Sequence, residues 1–464
     1  MTTTVATTAV APGTPATPVP QAPGRLPGLG HVGPMLRDRL AFLQGLRRHG
    51  DLVRIQVGPR PVYVVNAPEL IWEMLTTQSG NLGKGRLFDK LRLFGGSPLP
   101  IAEGQQHLRR RRLMQPAFHR DRINSYIDRM SSTAEAAIGG WQPGQRLDVL
   151  NEMQLMTQGV VMSVLFSADP ERGPAQAVMN GVDTVFQAAV RRAVVPFSGW
   201  ERLPLPGNRR LRAASTLLRR TVSDIVAAHR ADPDPADDLV TLLLEARDED
   251  GRPLDDEEIL SEITALLAAG SETTAVTMAW LFHELGRHPE IEQRLHREVD
   301  EVLAGGPLTA AHLPRLPLTR RLVTETLRLH NPGWIVTRET TVPIRLGGAD
   351  LPAGADLLWS PYALHRDPEL YPDPLRFDPD RWLPERPQPP RGAYIPFGAG
   401  KRMCIGDGFT WAEATVLTAL IASRWTLRQV PGRTVRPVPA ITVHPSALQM
   451  TVEARGHAAA REAV

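Results

Sequence analysis

A mainly α fold with small β-sheets is what this 464-residue sequence predicts, and three observations carry that expectation. A helical pattern runs from Leu254 to about Arg287, with Asp255, Asp256, Glu257 and Glu258 at its start and an apolar middle. A second periodic run covers Asp407 to Trp425, where Trp411, Ala414, Val416, Leu417, Leu420 and Ile421 are spaced to bury one side. Sheet signals are short by comparison: Leu52–Val57 and Pro61–Val65 alternate like the strands of a hairpin.

The remaining segments follow in order. The first 24 residues are rich in Thr, Ala and Pro with no long apolar run, and read as a disordered tail and not as a signal or anchor. Asp232 to Ala236, with Pro233 and Pro235, reads as a surface loop between helices. Ile263 to Phe282 has the length of a membrane span, but one glutamate, four threonines and a serine make it a buried core helix, so no transmembrane segment is expected. The acids at 255–258 complement the helix dipole and need no magnesium site to explain them. Lys and Arg total 53 against 50 Asp and Glu, and a net charge of only +3 with one short arginine run gives little support for nucleic-acid binding.

Chemistry concentrates on the one cysteine, Cys404, in the run Phe397-Gly398-Ala399-Gly400-Lys401-Arg402-Met403-Cys404-Ile405-Gly406. A lone cysteine forms neither an internal disulfide nor a multi-thiolate cluster, and it fits a reducing compartment. Glycines at 398, 400 and 406 permit tight or left-handed backbone that approaches a flat surface closely. A thiol just before a helix N-terminus, beside Lys401 and Arg402, is stabilised as a thiolate poised to bind iron. Upstream, Glu325-Thr326-Leu327-Arg328 places an acid and a base on one helical face; alone, that spacing is an ordinary exposed pair. In the long helix, Ala269-Gly270-Ser271-Glu272-Thr273-Thr274 interrupts an apolar run, and threonine back-bonding there predicts a local opening of the ladder.

The cysteine run resembles the heme-ligand loop of the cytochrome P450 family at every defining position. The resemblance covers nearly the whole chain and implies a P450 fold, a triangular helical prism with heme between helices I and L. It divides the chain into a tail (1–24), a catalytic domain (25–455) and a frayed terminus (456–464). It implies heme b with Cys404 as axial thiolate. It makes Glu325, Arg328 and Arg381 a buried charge network that holds the chain on the heme's cysteine side. It makes Thr273 the alcohol that organises proton delivery and Glu272 the acid that relays protons from solvent. His107 and Arg111, one turn apart, join Arg338 and Arg402 as propionate partners, with Phe397 and Gly406 completing the cofactor-binding loop. The helix C tryptophan usual in the family is histidine here. Arg109, Arg110 and Arg112 are expected on a solvated surface that receives an acidic electron carrier.

Positions that line the pocket in relatives fall around Leu87–Leu99, at Val185–Pro196, at Leu266 through Thr273 (Leu266, Ala269 and Gly270 among them), at Trp334, Ile335 and Val336, and at Ser446 with Ala447. Most are apolar, which implies a hydrophobic small-molecule substrate held by shape and burial. Segments such as Trp141-Gln142-Pro143-Gly144 resemble actinomycete members that oxidise sesquiterpenes in secondary metabolism; fatty acids, steroids and macrolides stay open as substrates. No flavin or ferredoxin module is attached, so ferredoxin and ferredoxin reductase are the expected electron donors, with dioxygen as co-substrate and a cytoplasmic setting. A peroxide-driven heme-thiolate enzyme and a heme sensor are the alternatives, and the acid–alcohol pair Glu272–Thr273 argues against both.

Overall fold

The computed structural model describes residues 16–85, 88, 97–167, 181, 206–232 and 238–456. Two compact units emerge where the sequence suggested one continuous domain. The first unites Met1–Gly85, Ile335–Leu370 and Pro390–Met403; the second unites Arg86–Trp334, Tyr371–Pro389 and Cys404–Val464.

The first unit is built on a five-stranded sheet. The expected hairpin forms from β1 (Leu52–Val57) and β2 (Arg60–Val65), in antiparallel register from Leu52 opposite Val65 to Val57 opposite Arg60. With β3 (Leu82–Gly83), β4 (Val336–Thr340) and β5 (Asp356–Trp359) the order is β1–β2–β5–β4–β3, and only β2 and β5 run parallel. A helix at Pro68–Leu75, with proline at its first position, buries Ile71, Met74 and Leu75 against Leu357, Trp359 and Ile395. Part of the stretch expected to be tail is ordered. The Ala22 amide donates to the Arg54 carbonyl (2.9 Å) and the Arg54 amide to the Pro20 carbonyl (2.8 Å), so residues 20–22 cover the free edge of β1.

The second unit is helical. Its site-bearing elements are α1 (Gly104–Met114), α2 (Asp256–Leu285), α3 (Pro317–Leu329) and α4 (Asp407–Arg424). α2 packs against the helix Val149–Phe166 and against α3 and α4. A reciprocal cap starts it: Asp255 accepts from the Glu258 amide (2.7 Å) and Glu258 from the Asp255 amide (3.1 Å). The other two acids of that cluster pair with Arg230 and Arg219. α2 is long and apolar enough to cross a membrane, yet most of it is buried inside this unit, as a core helix is. A three-stranded sheet of Arg146–Asp148, Gln449–Ala454 and Trp425–Gln429 and a small ribbon of Pro437–Pro439 with Val443–Pro445 complete the unit.

Two expectations are corrected. α2 runs unbroken through 269–274: its hydroxyls do bond back along it as expected, but they do so without interrupting the helix. Ser271 donates to the Leu267 carbonyl (2.8 Å), Thr273 to Ala269 (2.8 Å) and Thr277 to Thr273 (2.9 Å), while Thr157 from the neighbouring helix bonds the Ser271 carbonyl (3.0 Å). The arginine run of α1 is not a free basic surface. Arg109 is held by Asp248 (2.6 Å) and Glu258 (3.0 Å), and Arg110 is buried against Glu262 (2.5 Å), because α1 lies beside the acidic start of α2; only the Arg112–Glu249 pair is exposed.

Candidate active site

Cys404 lies two residues before Gly406, the N-cap of α4. Its side chain is solvent-accessible, and yet burial is the strongest influence on it and pushes the thiol above its ordinary range. The Gly406 amide hydrogen bond opposes the shift, Asp407 adds to it, and the positive charge that favours the thiolate comes from Arg111 on α1. Lys401 and Arg402 were expected in that role. Gly406 itself has an ordinary backbone (φ −91°), so its contribution is the N–H aimed at sulfur and not conformational freedom. Gly400 does need freedom: its φ is +67°, and a Cβ there would meet the Leu75 carbonyl oxygen at 2.1 Å.

His107 is buried on α1, one turn before half-buried Arg111. In the first unit, Arg338 on β4 is buried with no acid paired to it among the described residues. Its Nη1 bonds the Thr337 carbonyl (2.8 Å), and burial, aided by the positive charge of Arg402, pulls its pKa down to about 10. A buried guanidinium next to a second one needs an anion. In the second unit, a thiol beside the Arg111 charge suits an iron-binding thiolate, and in the first unit the buried Arg338 guanidinium suits a carboxylate. Phe397 is half-buried in the first unit, beside left-handed Gly398 (φ +74°).

α2 is enclosed along most of its length but opens on one stripe, where Ala269 is exposed and Leu266, Gly270 and Thr273 are half-buried. Beside that stripe Glu272 accepts a hydrogen bond from the buried Thr442 hydroxyl (2.8 Å). Thr442 lies next to the ribbon strand Val443–Pro445, whose Val443 amide bonds the Pro332 carbonyl (3.0 Å), and the Trp334 indole donates to the Ala440 carbonyl (3.0 Å). The fold thus brings Glu272 and Trp334, 62 positions apart in sequence, onto one small loop at 440–442. Ser446 exchanges hydrogen bonds with Arg436 and is half-buried, while Ala447 is exposed. Ile335 and Val336 are half-buried in the first unit. Leu87 and all of Val185–Pro196 lie outside the described residues.

The charge network forms in full. Glu325 and Arg328 on α3 are both fully buried and joined by two 2.8 Å hydrogen bonds. Glu325 also accepts from the Asp378 amide (3.0 Å) and the Trp382 indole (2.8 Å), and Arg381 approaches it at 3.5 Å. Arg328 donates onward to the carbonyls of Pro374 (2.7 Å) and Arg376 (3.2 Å), tying down the irregular 372–382 chain. Both Glu325 oxygens and all three Arg328 nitrogens are hydrogen-bonded, the condition under which a buried ion pair is tolerated.

Three residues were missed. Thr442 carries no local signal, since its role exists only against Glu272. Glu262 stands in the apolar part of α2, and Glu413 stands alone in the apolar run of α4 after Ala412. A solitary acid inside a buried periodic face was the available clue for both.

The comparisons agree with this arrangement. A family model described as Cytochrome P450 matches residues 20–452. Cyclooctat-9-en-7-ol 5-monooxygenase of Streptomyces melanosporofaciens is 42% identical over 416 residues, covering 89% of this chain and 90% of its own. Pentalenene oxygenase of Streptomyces avermitilis is 41% identical over 436 residues, covering 94% and 97%. The crystal structure of the cytochrome P450DA heme domain superposes with a TM-score of 0.84 at 24% identity, covering 95% of this chain and 98% of its own. Since the match spans both units and every element that frames Cys404, the chain belongs to the cytochrome P450 family of heme-thiolate monooxygenases.

Proposed function

We propose that this protein hydroxylates a terpene hydrocarbon skeleton in secondary metabolism, and that Cys404 is the thiolate that would hold the iron of heme b. The observation that carries the ligand assignment is the single thiol, accessible within a densely packed surrounding and next to the Arg111 charge. When bound, the heme supplies dioxygen activation by two electrons, which the cysteine thiolate promotes. His107, Arg111, Arg338 and Arg402 bind its carboxylates, and Phe397 and the Gly406 amide shape the cysteine loop around the sulfur.

Thr273 and Glu272 divide proton handling between them. The Thr273 hydroxyl gives its proton to the Ala269 carbonyl, which leaves the oxygen's lone pairs free to hold a water or an incoming proton on the open stripe of α2. Glu272 is fixed at one oxygen by Thr442, so its carboxyl is oriented for transfer without reorganisation. The apolar positions Leu266, Ala269, Gly270, Trp334, Ile335 and Val336 hold substrate by shape and exclude bulk water. The two Streptomyces relatives, named for oxidation of cyclooctatenol and pentalenene, support a cyclic terpene as substrate. A ferredoxin and its reductase deliver the electrons in the cytoplasm. Reduced, carbon monoxide-treated wild-type protein is expected to show the thiolate-ligated optical signature and Cys404→Ser to lose it. A histidine-type spectrum in the wild type refutes the assignment. Spin-state titration with cyclic sesquiterpenes and diterpenes, against sterols and fatty acids, tests the substrate class.

A further inference from the structure

Glu262 has no role in the reaction as described, yet it is a fully buried and closely held carboxylate on α2. It is fully buried, and the Leu99 amide donates to both of its oxygens, at 3.0 and 2.9 Å. The Arg110 guanidinium, itself only 4% exposed, bonds Oε1 at 2.5 Å and reaches Glu258 at 3.3 Å. Burial pushes the Glu262 carboxyl upward; the Leu99 amide and then Arg110 pull it back, and Glu258 adds to the upward push.

Position along α2 gives this cluster its meaning. At 3.6 residues per turn, Glu262, Leu266, Ala269 and Thr273 fall within about 60° of one another, on a single stripe. The stripe is open at Ala269 and partly open at Leu266 and Thr273, and it closes at Glu262. Closure is made by the chain around Leu99, which turns there: the amides of Ile101 and Ala102 both bond the Pro98 carbonyl at 2.8 Å, and Leu99 and Ala102 are buried. From Glu262 to Thr273 is a run of roughly 16 Å at 1.5 Å per residue.

A buried ion pair is a poor device for stability, since apolar side chains of similar volume do as well. It does fix geometry, because the carboxylate accepts from one particular amide in one particular place. Resting on the reading of α2 as the substrate wall, we propose that Glu262 is a positioning residue that sets substrate length. Through the Leu99 amide and Arg110 it clamps the Pro98–Ala102 turn over the end of the open stripe and so limits how far a guest extends along α2.

The test uses the holoenzyme and 1-alkylimidazoles from butyl to dodecyl, which ligate heme iron whatever the natural substrate. The double variant Glu262→Leu/Arg110→Met removes both charges, keeps the volume and takes away the amide's acceptor. Hydrogen exchange at the Leu99 amide is expected to rise, and the dissociation-constant ratio between short and long imidazoles to move about tenfold toward the long, as loss of one buried hydrogen bond with a charged partner allows. Glu262→Gln, which keeps an oxygen for the amide, is expected to hold the wild-type ratio. Should the double variant not fold, Leu99→Pro deletes the N–H itself and carries the same expectation. An unchanged ratio despite a freed Leu99 amide overturns the proposal, and so does a Leu99 amide that stays protected. Failure of the wild type to show heme spectra would instead overturn the reading of Cys404.

Discussion

Glu413 sets up a pH dependence of stability that one substitution removes. Its carboxyl is fully buried on α4 and neither oxygen has a hydrogen-bond partner. Burial pushes it from 4.5 up to about 8, against an opposing pull from the Thr274 hydroxyl, which also reaches the Gly270 carbonyl (3.3 Å). Below pH 4.5 the group is neutral in folded and unfolded chains alike and costs nothing. Between 4.5 and about 8 the unfolded chain releases the proton that the folded chain keeps, so stability falls by about 1.4 kcal/mol per pH unit. The loss is complete above the folded value and corresponds to roughly 5 kcal/mol. Glu413→Gln cannot titrate, so its stability relative to wild type is expected to climb steadily from pH 5 to pH 8. Any fixed cost of burying the amide moves the whole curve and leaves the difference in slope. Urea unfolding of both proteins at pH 5, 6, 7 and 8, followed by tryptophan fluorescence, reads that slope. Parallel pH profiles for wild type and variant would refute the argument, because they would mean that Glu413 is ionised and partnered within the fold.

Glu325→Ala or Arg328→Ala leaves a fully buried charge without its partner, a loss of about 3–5 kcal/mol, and is expected to give protein that retains no heme on gel filtration. Soluble holoprotein from either variant at wild-type heme content contradicts the network's role. Thr273→Ala is expected to bind heme normally while coupling of electron consumption to product falls about tenfold or more and peroxide rises in its place, within the range that positioned proton transfer contributes. Equal peroxide yields from variant and wild type would remove Thr273 from proton delivery.

Residues whose function is carried by their neighbours along the chain were legible from the start. The Cys404 loop, the Glu325–Arg328 pair and the hairpin Leu52–Val65 each depend on spacing within one element, and spacing is what a sequence displays. α2 was placed to within two residues at each end because its acidic cap and its apolar period are local signals. Other predictions failed for want of the partner. Arg110 read as surface because nothing near it in sequence shows that Glu262, 152 positions away, is buried against it. The expected opening of α2 did not form although the back-bonding that suggested it did, since whether such bonds bend a helix depends on the packing outside it.

From the order of its residues alone this protein had a mostly helical fold, a single cysteine in a family-type loop and an acid–alcohol pair on a long core helix, because helix period, caps and motif spacing act within a few bonds of chain. Only tertiary structure decided that Arg111 is the charge acting on Cys404, that Thr442 holds Glu272, and that Glu262 and Glu413 share the same interior under opposite conditions, one surrounded by donors and one with none. Desolvation and hydrogen bonding set the ionisation of a buried acid, and both are properties of what the fold packs around it.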